Sequence, residues 1–137
     1  VLKSKKSSSN SLLMKKIFLI LIFTLMTSAV IAGMNDNEKS KTIECTGIYY
    51  ANSMIPQGEL ELEKIVHSFS AKKFLTGYLI KEGVEEEKLN KELLKIVDVR
   101  YGKPYDEKTT KECDDFIYKQ ISDSKGEIKK IAESGIY

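Results

Sequence analysis

Few side chains in this sequence have the types and the spacing that catalysis requires. His67 is the only histidine, and nothing beside it, where its neighbours are Val66 and Ser68, provides the nucleophile or the orienting acid that a catalytic histidine needs. No serine lies in a G-x-S-x-G motif. The adjacent glutamates of residues 85–87 would point in different directions around a helix, which is typical of a solvated helix start and not of a glycosidase carboxylate pair. We therefore predict no catalytic residue, and we expect neither a metal nor a cofactor.

The first 32 residues contain a targeting signal. Lys15 and Lys16 precede an apolar run over residues 17–32, in which Val30 and Ala32 suit the two small-residue pockets of a signal peptidase. The run has 16 residues, fewer than the roughly 20 that span a bilayer, so an uncleaved membrane anchor is the less favoured alternative. We predict a signal peptide over residues 14–32 and an upstream, disordered extension over residues 1–13. The working protein is then periplasmic or secreted.

Removal of this leader changes the charge of the chain. The leader carries five lysines and no acidic residue, so the net charge falls from +2 for the full sequence to −3 for the 105 residues that remain. No basic stripe is left that would contact a phosphate backbone, so a nucleic acid is not expected as a partner. We expect another protein as the partner, and no stable membrane span after cleavage. A chain of this length suits one small domain.

The two cysteines, Cys45 and Cys113, both lie in the exported part. An even number of cysteines in an exported chain favours one disulfide, which here would close a loop of about 68 residues. Two unpaired, buried thiols are the alternative. Two cysteines and one histidine at wide spacing do not form a zinc-binding pattern. The sequence therefore predicts a Cys45–Cys113 disulfide.

Tyrosines are the most suggestive residues for binding. The chain has seven tyrosines and no tryptophan, and tyrosine is enriched at protein interfaces because it buries a large area while keeping a polar tip. An ordinary position at the edge of the core is the alternative explanation. Five tyrosines on or beside predicted helices are the candidate partner-binding residues: Tyr49, Tyr50, Tyr101, Tyr105 and Tyr118.

Hydrophobic periodicity predicts helices throughout the exported part. Residues 33–40 are polar and are expected to be flexible, and residues 41–137 are expected to form a single helical domain. The first helix should run to about Ser53, with apolar groups on two sides that place it between neighbours. In the second helix the apolar stripe changes face between Phe69 and Ala71, which predicts a kink, a break or burial on two sides. Phe69 and Phe74 are then both expected in the core.

The third and last helices have clearer patterns. Leu89, Leu93 and Val97 belong to the predicted core stripe of the third helix, together with Ile96 and Tyr101, and Gly102 should end that helix. A last helix should start at Asp106 or Thr109, and Gly126 is the position where it is expected to bend or divide. The predicted fold is all-α, a small antiparallel bundle of about four helices with one inter-helix disulfide.

The positions of the two cysteines suggest a family likeness. The segments IECTGIYYANSM and TTKECDDFIYKQI place one cysteine in the first helix and one in the last. The chain in this respect resembles small exported bacterial proteins with two cysteines, which are similar in plan to the helical periplasmic immunity proteins against type VI secretion effectors such as cell-wall amidases. The resemblance transfers no functional residue to this sequence.

The resemblance implies a function in binding and not in catalysis. We expect a non-enzymatic periplasmic domain that binds another protein, as an inhibitor or immunity protein against a secreted effector would. An envelope-stress or chaperone-like accessory protein is the alternative, and a cell-wall enzyme is less favoured. A chaperone should expose a large apolar patch, and an enzyme needs a cleft in which polar groups converge.

Overall fold

A computed structural model of the protein describes residues 33–135, and these residues form five α-helices. The helices are α1 (Asp36–Ser53), α2 (Leu62–Lys81), α3 (Glu86–Arg100), α4 (Glu107–Gln120) and α5 (Ser124–Ser134). The all-α prediction is confirmed, with five helices in place of about four. The predicted extension over residues 1–13 and the predicted signal peptide over residues 14–32 lie outside the described residues. None of the helices in residues 33–135 combines the length and the hydrophobicity that crossing a bilayer requires.

Helix α1 begins earlier than predicted. The sequence predicts a flexible segment over residues 33–40, but the helix already begins at Asp36. The side chain of Asn35 accepts a hydrogen bond from the backbone N–H of Glu38 at 2.9 Å, and the Glu38 carboxylate accepts one from the backbone N–H of Asn35 at 3.0 Å. This capping box satisfies two amides that would otherwise lack a partner at the helix start, so it explains the earlier beginning.

Helix α1 packs against three others, namely α2, α3 and α4. This central position agrees with the apolar groups that the sequence places on two sides of the helix. Polar residues also reach the interior: the hydroxyl of Thr46 donates to the carbonyl of Thr42, and that of Thr42 donates to the carbonyl of Glu38, both at 2.7 Å. Because each hydroxyl has a partner one turn earlier, α1 buries them without an unsatisfied donor.

A glycine allows α3 to approach α1 closely. A Cβ atom added to Gly47 would lie 2.6 to 2.7 Å from three side-chain atoms of Ile96. Helix α3 buries Leu89, Leu93 and Val97, as its predicted stripe requires, and leaves Ile96 half-buried against Gly47. The absence of a side chain at position 47 therefore sets the separation of the two helices.

Helix α2 is continuous, and near Ser70 it is buried on two sides, which is one of the predicted outcomes. One buried stripe runs along one helical face, and Ser70, which is also buried, lies on the opposite side from Ser68; the stripe consists of Ser68, Ala71, Leu75 and Leu79. Towards the helix start this stripe continues through Ser68, which a pattern of apolar residues does not detect because serine is polar. The prediction that Phe69 is core is wrong, because this side chain is 38% exposed. Phe74 is half-buried and packs against the main core cluster.

The predicted last helix is divided in two, and not at Gly126. Helix α4 ends at Gln120 and α5 begins at Ser124, with Asp123 between them in the left-handed conformation at φ 62°. The hydroxyl of Ser124 donates to the carbonyl of Ile117 at 3.2 Å across the break. The turn allows isoleucines on both helices to enter the same core cluster.

The Cys45–Cys113 disulfide is confirmed. The two Cα atoms lie 5.5 Å apart, and both residues are buried. Two hydrogen bonds lie beside it: the Tyr49 hydroxyl donates to Asp114 at 2.6 Å, and the Asn52 amide donates to the Thr110 hydroxyl at 3.0 Å. These three contacts join α1 to α4, and we refer to them as the α1–α4 seam. Its members are Cys45, Tyr49 and Asn52 on α1 and Thr110, Cys113 and Asp114 on α4.

The close approach of α1 and α3 predicts opposite effects for two glycine substitutions. Gly47→Ala should lower the free energy of unfolding, because forcing a methyl group into a packed contact costs about 1 to 3 kcal/mol and exceeds the gain of about 1 kcal/mol in helix propensity. Urea denaturation of both proteins measures the difference.

Gly77→Ala provides the matched control in another helix. A Cβ at Gly77 meets no atom within 4 Å, so the change should raise the free energy of unfolding by about 0.5 to 1 kcal/mol. If Gly47→Ala were also stabilising, α1 and α3 would not be in the close contact described.

Candidate protein-binding site

The five candidate tyrosines occupy different environments. Tyr101 is 69% exposed, although the sequence places it in the core stripe of α3. Tyr50, Tyr105 and Tyr118 are half-buried, each with a lysine ammonium 4.5 to 5.7 Å from its ring centroid. Tyr49 is completely buried, so its side chain is not available to a partner at the surface, and its assignment as a binding residue is wrong. Of the five, Tyr101 and Tyr105 share a groove at one end of the fold, which is described below.

Tyr49 instead belongs to a polar network inside the fold. Its hydroxyl donates to Asp114 Oδ1, and Nε2 of His67 lies 2.9 Å from the same oxygen. The rings of Tyr49 and His67 meet edge to face, with centroids 5.9 Å apart. Burial, and then the negative charge of Asp114, raise the pKa of the Tyr49 phenol far above its ordinary value. The network joins three helices, α1, α2 and α4.

His67 therefore has an acidic partner that the sequence does not reveal. Asp114 is 47 positions away, and the two side chains meet because α2 and α4 both pack against α1. A histidine and an aspartate at this distance can exchange protons with a bound group. Here the second group on the carboxylate is the buried Tyr49 hydroxyl, so Asp114 joins two side chains of the fold.

A groove at one end of the fold contains the two tyrosines that share a site. One wall is formed by the end of α1 and the loop after it, and the other by the end of α3 and the loop that leads to α4. Its volume is about 500 Å³. We call it the Tyr101 groove, and it is lined by Ala51, Met54, Ile55, Pro56, Glu59, Arg100, Tyr101, Gly102, Lys103, Pro104 and Tyr105.

Local sequence explains why Tyr101 and Met54 are exposed in this groove. Helix α3 stops at Arg100 because Gly102 adopts φ 76° and Pro104 follows, so the chain leaves the helix before Tyr101 can turn inward. On the other wall, Met54 follows the last turn of α1 and is 45% exposed. The two prolines, Pro56 and Pro104, restrict the backbone of both loops.

The charges of the groove are unevenly distributed. Arg100 and Lys103 lie on the α3 wall, and Glu59 lies on the α1 wall. In the part of the chain that the structure describes, neither cation has a carboxylate within ion-pair distance. Lys64 lies over the Tyr105 ring at 5.3 Å and is 3.9 Å from Glu107. The α3 wall thus presents positive charge beside exposed aromatic surface.

The candidates from the sequence include only Tyr101 and Tyr105 of this groove, so they miss Met54 and Arg100. Met54 has the spacing of a core residue on α1, and its exposure depends on where the helix ends. Arg100 could have been noticed, because it is the only arginine in the chain, and arginine is enriched with tyrosine at binding hot spots.

A second groove of about 600 Å³ lies between α2 and α5. Leu62, Val66 and Ile128 are among its lining residues, and Tyr118 and His67 also contact it. Tyr118 therefore lies away from the Tyr101 groove. Burial raises the pKa of Tyr118 to about 12.

Comparisons with known proteins do not assign this site. Protein-family models, curated proteins and solved structures were each compared with the chain, and none of the three comparisons finds a match.

The buried phenol of Tyr49 predicts a loss of stability at high pH. An unfolded chain releases phenol protons near pH 10, whereas native Tyr49 keeps its proton. The native state therefore binds more protons above pH 10, and the free energy of unfolding should fall there by about 1.4 kcal/mol per pH unit for this group. Tyr49→Phe should be less stable at pH 7 but should show a shallower decline above pH 10, as measured by urea denaturation across pH.

Lysines also titrate in this range. The contribution of Tyr49 is therefore the difference between the slopes of the unsubstituted protein and Tyr49→Phe. Identical slopes above pH 10 would contradict the burial of a protonated Tyr49 phenol.

Proposed function

We propose that this protein is an exported, non-enzymatic domain that binds another protein through the Tyr101 groove. The observation that carries the proposal is the 69% exposure of Tyr101 in a groove whose other wall presents exposed Met54. Tyrosine, methionine and arginine are enriched in the cores of protein interfaces. When a partner covers an exposed tyrosine ring, a large apolar area leaves water and only two side-chain torsions are ordered.

The disulfide supports the location that the proposal requires. Disulfides persist in the periplasm and outside the cell and are rare in reducing compartments, and the Cys45–Cys113 bond fits a protein that works after export. A predicted signal peptide over residues 14–32 is the route of export. We propose an inhibitor or immunity protein as the specific role, because a small rigid body with one aromatic groove suits a single defined partner.

The groove is tested by site-specific photo-crosslinking in the producing cells. Replacing Tyr101 by the photoreactive amino acid p-benzoylphenylalanine should yield one discrete adduct, recovered in the periplasmic fraction. The matched control carries the same amino acid at Leu94, which is 51% exposed on α3 but does not line the groove. With the crosslinked partner purified, Tyr101→Ala should weaken binding by at least about tenfold, as expected for a hot-spot tyrosine.

The pattern of adducts distinguishes the alternatives. Many adducts of different mass at position 101 would favour the chaperone-like role. Equal crosslinking from positions 101 and 94, or no adduct from either, would contradict the proposed use of the groove.

A further inference from the structure

Arg100 is the only arginine in a chain that has 21 lysines. It is the last residue of α3 and lies directly before the most exposed tyrosine of the groove. Its side chain is half-buried in the α3 wall. A half-buried guanidinium loses part of its hydration, so it gains more from a carboxylate than a fully solvated lysine does.

Among residues 33–135, no carboxylate lies within ion-pair distance of Arg100. Its charge acts on Asp106, whose pKa is lowered first by the hydrogen bonds of this carboxylate to Thr109 and also by the charge of Arg100. Each oxygen of Asp106 accepts a hydrogen bond from Thr109, Oδ1 from the backbone N–H at 3.0 Å and Oδ2 from the hydroxyl at 2.6 Å. Asp106 thus caps α4, and it forms no ion pair with Arg100 in residues 33–135, so the guanidinium is available to a carboxylate of a partner.

The surroundings of Arg100 define what that group can be. The guanidinium presents a planar fork of donors that matches a carboxylate in a bidentate pair. Lys103 adds a second positive charge on the same wall, and Tyr101 and Met54 add apolar surface. Glu59 on the other wall repels a second acid, so one carboxylate is favoured at the Arg100 end of the groove.

We infer that the Tyr101 groove recognises a short partner segment in which one aspartate or glutamate side chain adjoins an aromatic or aliphatic side chain. The carboxylate binds Arg100, and the apolar side chain packs between Tyr101 and Met54. This inference rests on the proposed function, because it names the chemistry of the partner at the same groove.

The test uses a displayed library of random 12-residue peptides, selected on the immobilised exported protein. Selected peptides should share one acidic residue beside an aromatic or aliphatic residue. Arg100→Gln should weaken their binding by at least about tenfold, and Arg100→Lys by a smaller factor, because lysine keeps the charge but not the fork. Lys119→Gln removes the same charge from an exposed position on α4 outside the groove and should change binding by less than about twofold.

The outcomes separate this inference from the proposed function. Peptides that depend on Tyr101 but lack an acidic residue, or that bind the Arg100→Gln and Lys119→Gln proteins equally, would overturn the inference and leave the groove as a binding site. If neither Tyr101→Ala nor Arg100→Gln changed the binding of the selected peptides, or if no peptide were selected, both the inference and the proposed function would be overturned. Circular dichroism of each variant verifies that the helices are retained.

Discussion

The covalent bond between Cys45 and Cys113 joins the central helix to the fourth helix, and the arrangement of the remaining helices depends on that junction. The bond links residues 68 positions apart, so it removes a large part of the freedom of the unfolded chain. In the chain-entropy model such a loop contributes about 4 kcal/mol, a large share of the stability expected for a domain of this size. The bond also places Tyr49 and Asn52 opposite Asp114 and Thr110, at successive turns of α1.

The Tyr101 groove is positioned by the same junction. One of its walls follows the end of α1, and the other connects α3 to α4. The close contact at Gly47 sets α3 against α1, and the α1–α4 seam sets the start of α4 against the same helix. Both ends of the α3 wall are therefore fixed to α1. Tyr101 and Arg100 consequently lie on a preorganised surface. Preorganisation reduces the ordering cost of binding, so a small groove can contribute useful affinity.

Much of the fold follows from the sequence because its signals are local. Capping residues, glycines, prolines and the stripe of α3 predict helices, and the two cysteines predict the bond between them. Two details of the helices escape these signals. Ser68 and Ser70 are buried on two sides of α2 but are polar, so a pattern of apolar residues does not detect them. Asp123 precedes α5 in a left-handed conformation, so the helices divide there, whereas a pattern based on glycine places the division at Gly126.

The site is harder to predict than the fold because its properties arise from packing. Tyr49 and Tyr50 are adjacent in the sequence, yet one is fully buried and the other half-buried. Tyr101 has the spacing of a core residue but follows the end of its helix and points outward. The His67–Asp114 contact joins residues 47 positions apart, and no pattern within either segment indicates it.

The α1–α4 seam is tested most directly by the free energy of unfolding of the exported protein with its disulfide intact and after reduction. Reduction should lower this free energy by about 4 kcal/mol in urea denaturation at constant pH. Equal free energies of unfolding for the oxidised and reduced protein would contradict the stabilising role of the bond, because the central helix would then be held to α4 without it.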